Sequence, residues 1–138
     1  MPGLVVDASI ALAWGLPDEN SAYADAALAV VERNGLRVPE IWPREIANGL
    51  AVAYLRKRIT SADEKAFLAA LSRLSIEVDH AAPLVVIRDG TAAAARFGLT
   101  AYDAAYVELA SREKLALATL DGPMRRAAEQ SGVTLFRE

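Results

Sequence analysis

The chain contains no cysteine in 138 residues. That absence excludes disulfides, thiolate-bound zinc, iron–sulfur clusters and cysteine nucleophiles together, and it fits a reducing compartment. Histidine occurs once, as His80 in "EVDHAAP". With no partner identifiable to orient it, His80 reads as a plain loop residue and not as a general base. No apolar run approaches the roughly 18–20 residues needed to cross a bilayer. The start "MPGLVVDAS" lacks the basic-then-apolar order of a secretory leader. The expectation is a cytoplasmic protein with no membrane partner. Basic charge is scarce too, with 15 Lys and Arg against 18 Asp and Glu and a net charge of −3. That balance argues against a protein whose main task is coating nucleic acid and confines any RNA contact to local clusters. Two clusters exist: Arg56, Lys57 and Arg58 in "LRKR", and Arg125 and Arg126 in "MRRAA". Their bland reading is solvated helix ends and faces.

What is present is an ordinary globular composition, 54% apolar and 24% charged, long enough for one domain over residues 1–138 with a core that needs no staples. Helical and strand-like periods alternate along it. Strand candidates are 4–6, 36–39, 75–78, 115–119 and 133–136. Helix candidates are 21–35, 43–58, 61–74, 82–98, 100–114 and 122–132. Pro43 suits a first helical position, and Ser61 with Glu64 has the spacing of a capping box. No repeat, low-complexity tract or linker interrupts the pattern. Five short strands separated by helices predict an α/β three-layer sandwich with a mostly parallel sheet covered on both faces. In such sheets the functional crevice lies beyond the carboxyl ends of the strands, where strand order reverses.

Four carboxylates fall where that crevice would be. Asp7 ends the first strand, and Asp121 in "LATLDGPM" follows the fourth. Glu45 in "WPREIANGL" and Asp103 in "LTAYDAAYVELA" are expected in the first turns of their helices. Each alone is explained by capping and by the helix dipole. Together at one sheet edge they would repel one another and raise one another's pKa, a conflict that a divalent cation resolves. Carboxylate oxygens without Cys or a placed His favour Mg²⁺ or Mn²⁺ over zinc. Ser9, Asn48 and Thr119 lie beside these acids as candidates to orient a carboxylate or a water, although each is also a common cap or surface residue.

"VVDASIALAW", "PREIANGL", "LTAYDAAYVELA" and "LATLDGPMRRAAEQSGV", in this order and spacing, resemble a PIN domain, and within that family the VapC toxins of bacterial toxin–antitoxin pairs. The likeness runs from Leu4 to Phe136. It implies a five-stranded parallel sheet in the order 3-2-1-4-5 and a Mg²⁺- or Mn²⁺-dependent endoribonuclease that leaves a 5′-phosphate and a 3′-hydroxyl. By position, Asp7, Glu45, Asp103 and Asp121 match the family's acidic quartet as catalytic and metal-binding residues, with Ser9, Asn48 and Thr119 as their polar companions. The resemblance also implies a VapB-type antitoxin that blocks the acidic pocket with a basic side chain, and a homodimer. Arg56, Lys57, Arg58, Arg125 and Arg126 are the candidates for phosphate contacts with RNA.

Rival classes fit less well. A receiver-type module would want an acidic pair near the first strand and a lysine after the fifth, and "TLFRE" has none. An aspartyl phosphatase usually carries a second Asp two positions after the first, where this chain has Ser9. The alternative that survives is a catalytically silent PIN-like protein-binding module. Trp14, Trp42, Tyr102 and Tyr106 flank the acids and are open to base stacking or to packing; core or dimer packing is favoured for the two tryptophans.

Overall fold

In a computed structural model that describes residues 3–138, four parallel strands form one sheet in the order β3-β2-β1-β4. Met1 and Pro2, at the start of the stretch read for a leader, lie outside the described residues. β1 (Leu4–Val6) is fully buried on both faces, as a central strand of a parallel sheet must be. It pairs with β2 (Leu36–Pro39) through Leu4↔Leu36 and Val5↔Arg37, and with β4 (Ala116–Ala118) through Val5↔Leu117. β3 (Ile76–Asp79) extends the sheet beyond β2, with Arg37 opposite Glu77 and an ion pair of 2.6 Å between them.

Helices fill every crossover. α1 (Ala8–Ala13) and α2 (Ala22–Asn34) join β1 to β2, and α3 (Ile41–Leu55) and α4 (Ser61–Ser72) join β2 to β3. α5 (Pro83–Phe97) and α6 (Ala101–Glu113) lead back to β4, and α7 (Gly122–Ser131) follows it. Right-handed crossovers put α1 to α4 on one face of the sheet. Between β3 and β4 the direction of progress reverses, so α5, α6 and α7 cover the other face. The switch point falls between β1 and β4.

Several local expectations are corrected. The segment 133–136 does not form a full fifth strand. A single parallel bridge joins Leu135 to Leu117, with bonds of 2.9 Å from the Leu117 N–H to the Thr134 carbonyl and from the Phe136 N–H to the Leu117 carbonyl. The ladder stops there because the Phe136 carbonyl accepts from the Tyr23 hydroxyl instead, at 2.9 Å, while its ring packs edge-on against Tyr23. The chain still occupies the place next to β4. The helix predicted from Pro43 begins at Ile41, which is compatible with proline because the first N–H groups of a helix have no intrahelical acceptor. α4 is boxed by Thr60 and Asp63, one residue before the predicted pair. A six-residue helix not marked in the sequence, α1, follows β1 directly, with Asp7 as its N-cap.

Candidate active site

Asp7 is 6% exposed although it carries a carboxylate, and the fold surrounds it with donors. Its Oδ2 accepts from Ser9 Oγ and from Thr119 Oγ1, both at 2.9 Å, and its Oδ1 accepts from the Ser9 N–H at 3.4 Å. Capping α1 and facing the cleft are therefore one position and not rival explanations. Thr119, at the end of β4, is wholly buried. Its hydroxyl gives its proton to Asp7 and accepts the Asp121 N–H at 3.1 Å, which ties the tips of β1 and β4 together. Asp121 in turn caps α7, its Oδ2 accepting from the Met124 N–H at 3.0 Å.

The other two acids come from helices. Glu45 sits five residues into α3, not in its first turn as expected, because the helix starts early. Its Oε1 accepts from the Tyr106 hydroxyl at 2.5 Å. Asp103 lies in the first turn of α6, which Thr100 caps by accepting the Asp103 N–H at 3.2 Å. α3 comes so near α1 that the Leu12 side chain fills the space a Cβ on Gly49 would take, which brings the Glu45 and Asn48 turn against Asp7. The result is an open cleft of about 640 Å³ whose lining includes Asp7, Glu45, Asp103 and Asp121, with Ser9 and Asn48 beside them.

The carboxylates feel one another. Burial raises the Glu45 carboxyl above its ordinary value; the Tyr106 hydroxyl lowers it, and the charges of Asp7 and Asp103 add to the rise. Burial also raises Asp103, helped by Asp121 and Asp7. The Tyr106 hydroxyl, in turn, is kept protonated by burial and by the Glu45 carboxylate it serves. Beside these acids the cleft offers a cation hydroxyl and amide oxygens from Ser9, Asn48 and Tyr102, with no thiolate and no imidazole; the Arg44 guanidinium and the Met124 thioether complete its lining. That set suits a hard divalent cation. Among the described residues, no three His, Cys, Asp or Glu side chains are gathered tightly enough to hold an ion by themselves. An ion there would need waters to complete its shell.

The chain as a whole has counterparts among known proteins. Residues 4–130 match the family model of the PIN domain. The chain belongs to the PIN-domain family. Its similarity to Ribonuclease VapC3 of Pyrobaculum aerophilum is 34% identity over 128 residues, 92% of this chain and 93% of that protein. Ribonuclease VapC9 of Mycobacterium tuberculosis is 38% identical over 118 residues, 86% of this chain and 85% of that one. The crystal structure of PAE2754 from Pyrobaculum aerophilum superposes with a TM-score of 0.68 at 26% identity, covering 91% of this chain and 86% of that chain.

The basic candidates of this PIN domain lie elsewhere. Arg56 and Lys57 are exposed just past the end of α3, 11 residues beyond Glu45 and thus on the order of 16 Å along the axis. Arg58 is clamped by Asp18 at 2.8 and 3.0 Å and by Glu19 at 3.3 Å. Arg125 donates to the Thr119 carbonyl at 2.6 Å and lies over the Tyr23 ring, whereas Arg126 is exposed. His80 is an exposed loop residue, as expected. Asp79 beside it ends β3 and pairs with Arg112 at 2.7 Å. Trp42 is core, and Trp14 donates to the Ala24 carbonyl at 2.8 Å, so both tryptophans serve packing. The sequence reveals neither the role of Tyr106 nor the presence of Arg44 at the site. Tyr106, buried in the core, supplies the hydroxyl that holds Glu45. Arg44 lines the cleft beside Glu45, and its spacing of three from Ile41 and four from Asn48 was the available signal.

No helix among the described residues is long and apolar enough to cross a membrane.

Proposed function

We propose that this PIN domain is a divalent-metal-dependent endoribonuclease, the toxin of a VapBC-type toxin–antitoxin pair. The observation that carries this reading is the convergence of four carboxylates on one open cleft at the switch point, in a chain similar over most of its length to proteins named VapC ribonucleases. Asp7, Glu45 and Asp103 would hold a Mg²⁺ or Mn²⁺ ion with waters filling the rest of its shell, and Asp121 would complete that site or serve a second. Such an ion lowers the pKa of a water and neutralises charge growing on phosphoryl oxygens.

The chain's own groups prepare the rest. Ser9 and Thr119 fix the Asp7 carboxylate by hydrogen bonds. Tyr106 occupies one oxygen of Glu45 and leaves Oε2 without that bond. Asn48 stands one turn from Glu45, on the side of α3 that lines the cleft. The reaction adds water across a phosphodiester. A bond forms between the water oxygen and phosphorus, the bond from phosphorus to the 3′ oxygen breaks in line with it, and that oxygen takes a proton. A 5′-phosphate and a 3′-hydroxyl result. Exposed Arg56, Lys57 and Arg126 are the freer candidates for distant phosphate contacts; Arg58 and Arg125 already serve the fold. The reading includes a single domain over residues 1–138, a homodimer, a cytoplasmic location, and an antitoxin that sets a basic side chain among the four acids.

Purified protein incubated with total transfer RNA and a structured ribosomal RNA fragment tests it, in Mg²⁺, Mn²⁺ or EDTA, beside Asp103→Asn. Discrete fragments that need metal and vanish in the variant are expected. Cleavage that survives EDTA or the substitution would overturn the assignment. Absence of both cleavage and Mn²⁺ binding would make the chain the silent binding module.

A further inference from the structure

α3 turns Ile41, Arg44, Glu45, Asn48 and Gly49 toward the acidic cleft, the spacing that aligns side chains along one helix face. Ile41 and Arg44 do not stop there. With Tyr102 of α6 they also line a second, largely apolar cavity of about 360 Å³. The two cavities therefore meet at these three residues. The second is walled by α5 and α6, with Val85 and Val86 on its apolar side and Glu40, Asp79, Asp89 and Glu108 also in its lining, so a phosphate would be received at the Arg44 junction and not within it.

Arg44 is the one Lys, Arg or His among the residues lining either cavity. Arg37, Arg58, Arg88 and Arg112 are each spent on carboxylates of the fold; among the described residues no such pair engages Arg44, which is exposed. Tyr102 stands at the same junction with 63% of its surface in water. An RNA strand brings more than one phosphate to the cleft. A cation held by the four acids would neutralise the phosphate being cut, while the next phosphate would meet an acidic wall unless another positive charge received it. A guanidinium matches two phosphate oxygens at once, and an exposed aromatic ring stacks any base.

We propose that Arg44 and Tyr102 form a subsite for the nucleotide next to the scissile phosphate of single-stranded RNA. The guanidinium holds the neighbouring phosphate and the phenol ring stacks on the base. This subsite rests on the endoribonuclease reading and adds the residues that receive the substrate beside the reacting centre.

The test uses the full chain carrying Asp103→Asn, in Mg²⁺, with a short fluorescein-labelled single-stranded RNA followed by anisotropy across a salt series. Adding Arg44→Gln weakens binding and flattens the plot of log K against log salt by about 0.7, the contribution of one phosphate contact on a single strand. Arg44→Lys restores the slope and part of the affinity. Tyr102→Ala weakens binding by about five-fold or more with the slope unchanged, and Tyr102→Phe binds like its parent. Both side chains are exposed, so circular-dichroism melts should match the parent's. An unchanged slope with Arg44→Gln, or parental affinity with Tyr102→Ala, overturns the subsite. Metal-dependent cleavage of transfer RNA by the wild type, run alongside, separates the two levels. Cleavage with an unchanged slope removes the subsite alone. A wild type that neither cuts nor binds RNA removes both.

Discussion

Replacing Thr119 by valine exchanges one oxygen for a methyl at almost constant volume. That oxygen makes two bonds that meet at the site: it donates to Asp7 Oδ2 at 2.9 Å and accepts the Asp121 N–H at 3.1 Å. A hydrogen bond to a charged group contributes ~1.5–3 kcal/mol, and a buried N–H left without a partner costs ~1–3 kcal/mol. The Asp121 amide is only partly buried, so its share belongs at the low end, and Asp7 keeps its bonds from Ser9. Thr119→Val should then lose ~2–4 kcal/mol, which for a chain of this size lowers the melting temperature by about 10 °C. Thr119→Ser keeps the hydroxyl and gives up one buried methyl, ~1 kcal/mol. Urea denaturation of the three proteins in EDTA measures the order directly. The wild type should be most stable, serine next and valine last. If valine equals or exceeds serine, the methyl matters more than the hydroxyl and the claim that Thr119 ties β1 to β4 is wrong.

Other substitutions test the remaining parts of the site. Because the Asp103 carboxyl is raised in the folded protein, its ionisation costs stability that is absent below the ordinary aspartate range and fully developed above the raised value. Asp103→Asn should therefore melt higher than wild type at neutral pH without metal, with the gap closing on acidification; a gap that widens would refute the sign. Tyr106→Phe removes the donor to Glu45, so it should cost ~1–2 kcal/mol of stability, raise Glu45 further and move the acid limb of any cleavage profile to higher pH. Arg58→Ala breaks an exposed clamp on Asp18 and Glu19. It should cost little stability and leave RNA affinity, read by anisotropy, unchanged.

The parallel sheet and the acidic edge were legible because both rest on short-range rules. Short apolar runs such as Leu4–Val6, alternating with helical periods, fit buried parallel strands, and residues just after strands lie at the edge where ligands bind. What escaped depends on tertiary partners. Residues 133–136 have a strand's composition, yet one carbonyl of that segment goes to Tyr23, 113 positions away, and no local pattern reveals that. Glu45 was placed one turn too early since Pro43 is tolerated inside the first turn as well as at its start. Tyr106 looks like any core aromatic until its hydroxyl is seen on Glu45. Arg44 carries no motif of its own and stands next to an acid that does, although the helical spacing from Ile41 to Asn48 puts both on the cleft side of α3.

The tail beyond α7 carries a practical consequence. The Phe136 carbonyl holds the Tyr23 hydroxyl, which receives the Thr119 N–H at 3.3 Å, and Thr119 holds Asp7. A truncation ahead of Phe136, or a purification handle that displaces the tail, would loosen that relay from three residues away. The amino end of β1 points to the opposite edge of the sheet from the cleft, so a handle fused there leaves the relay intact. Preparations that differ only in which end carries the handle should differ in their affinity for Mn²⁺, with the carboxyl-terminal fusion the weaker.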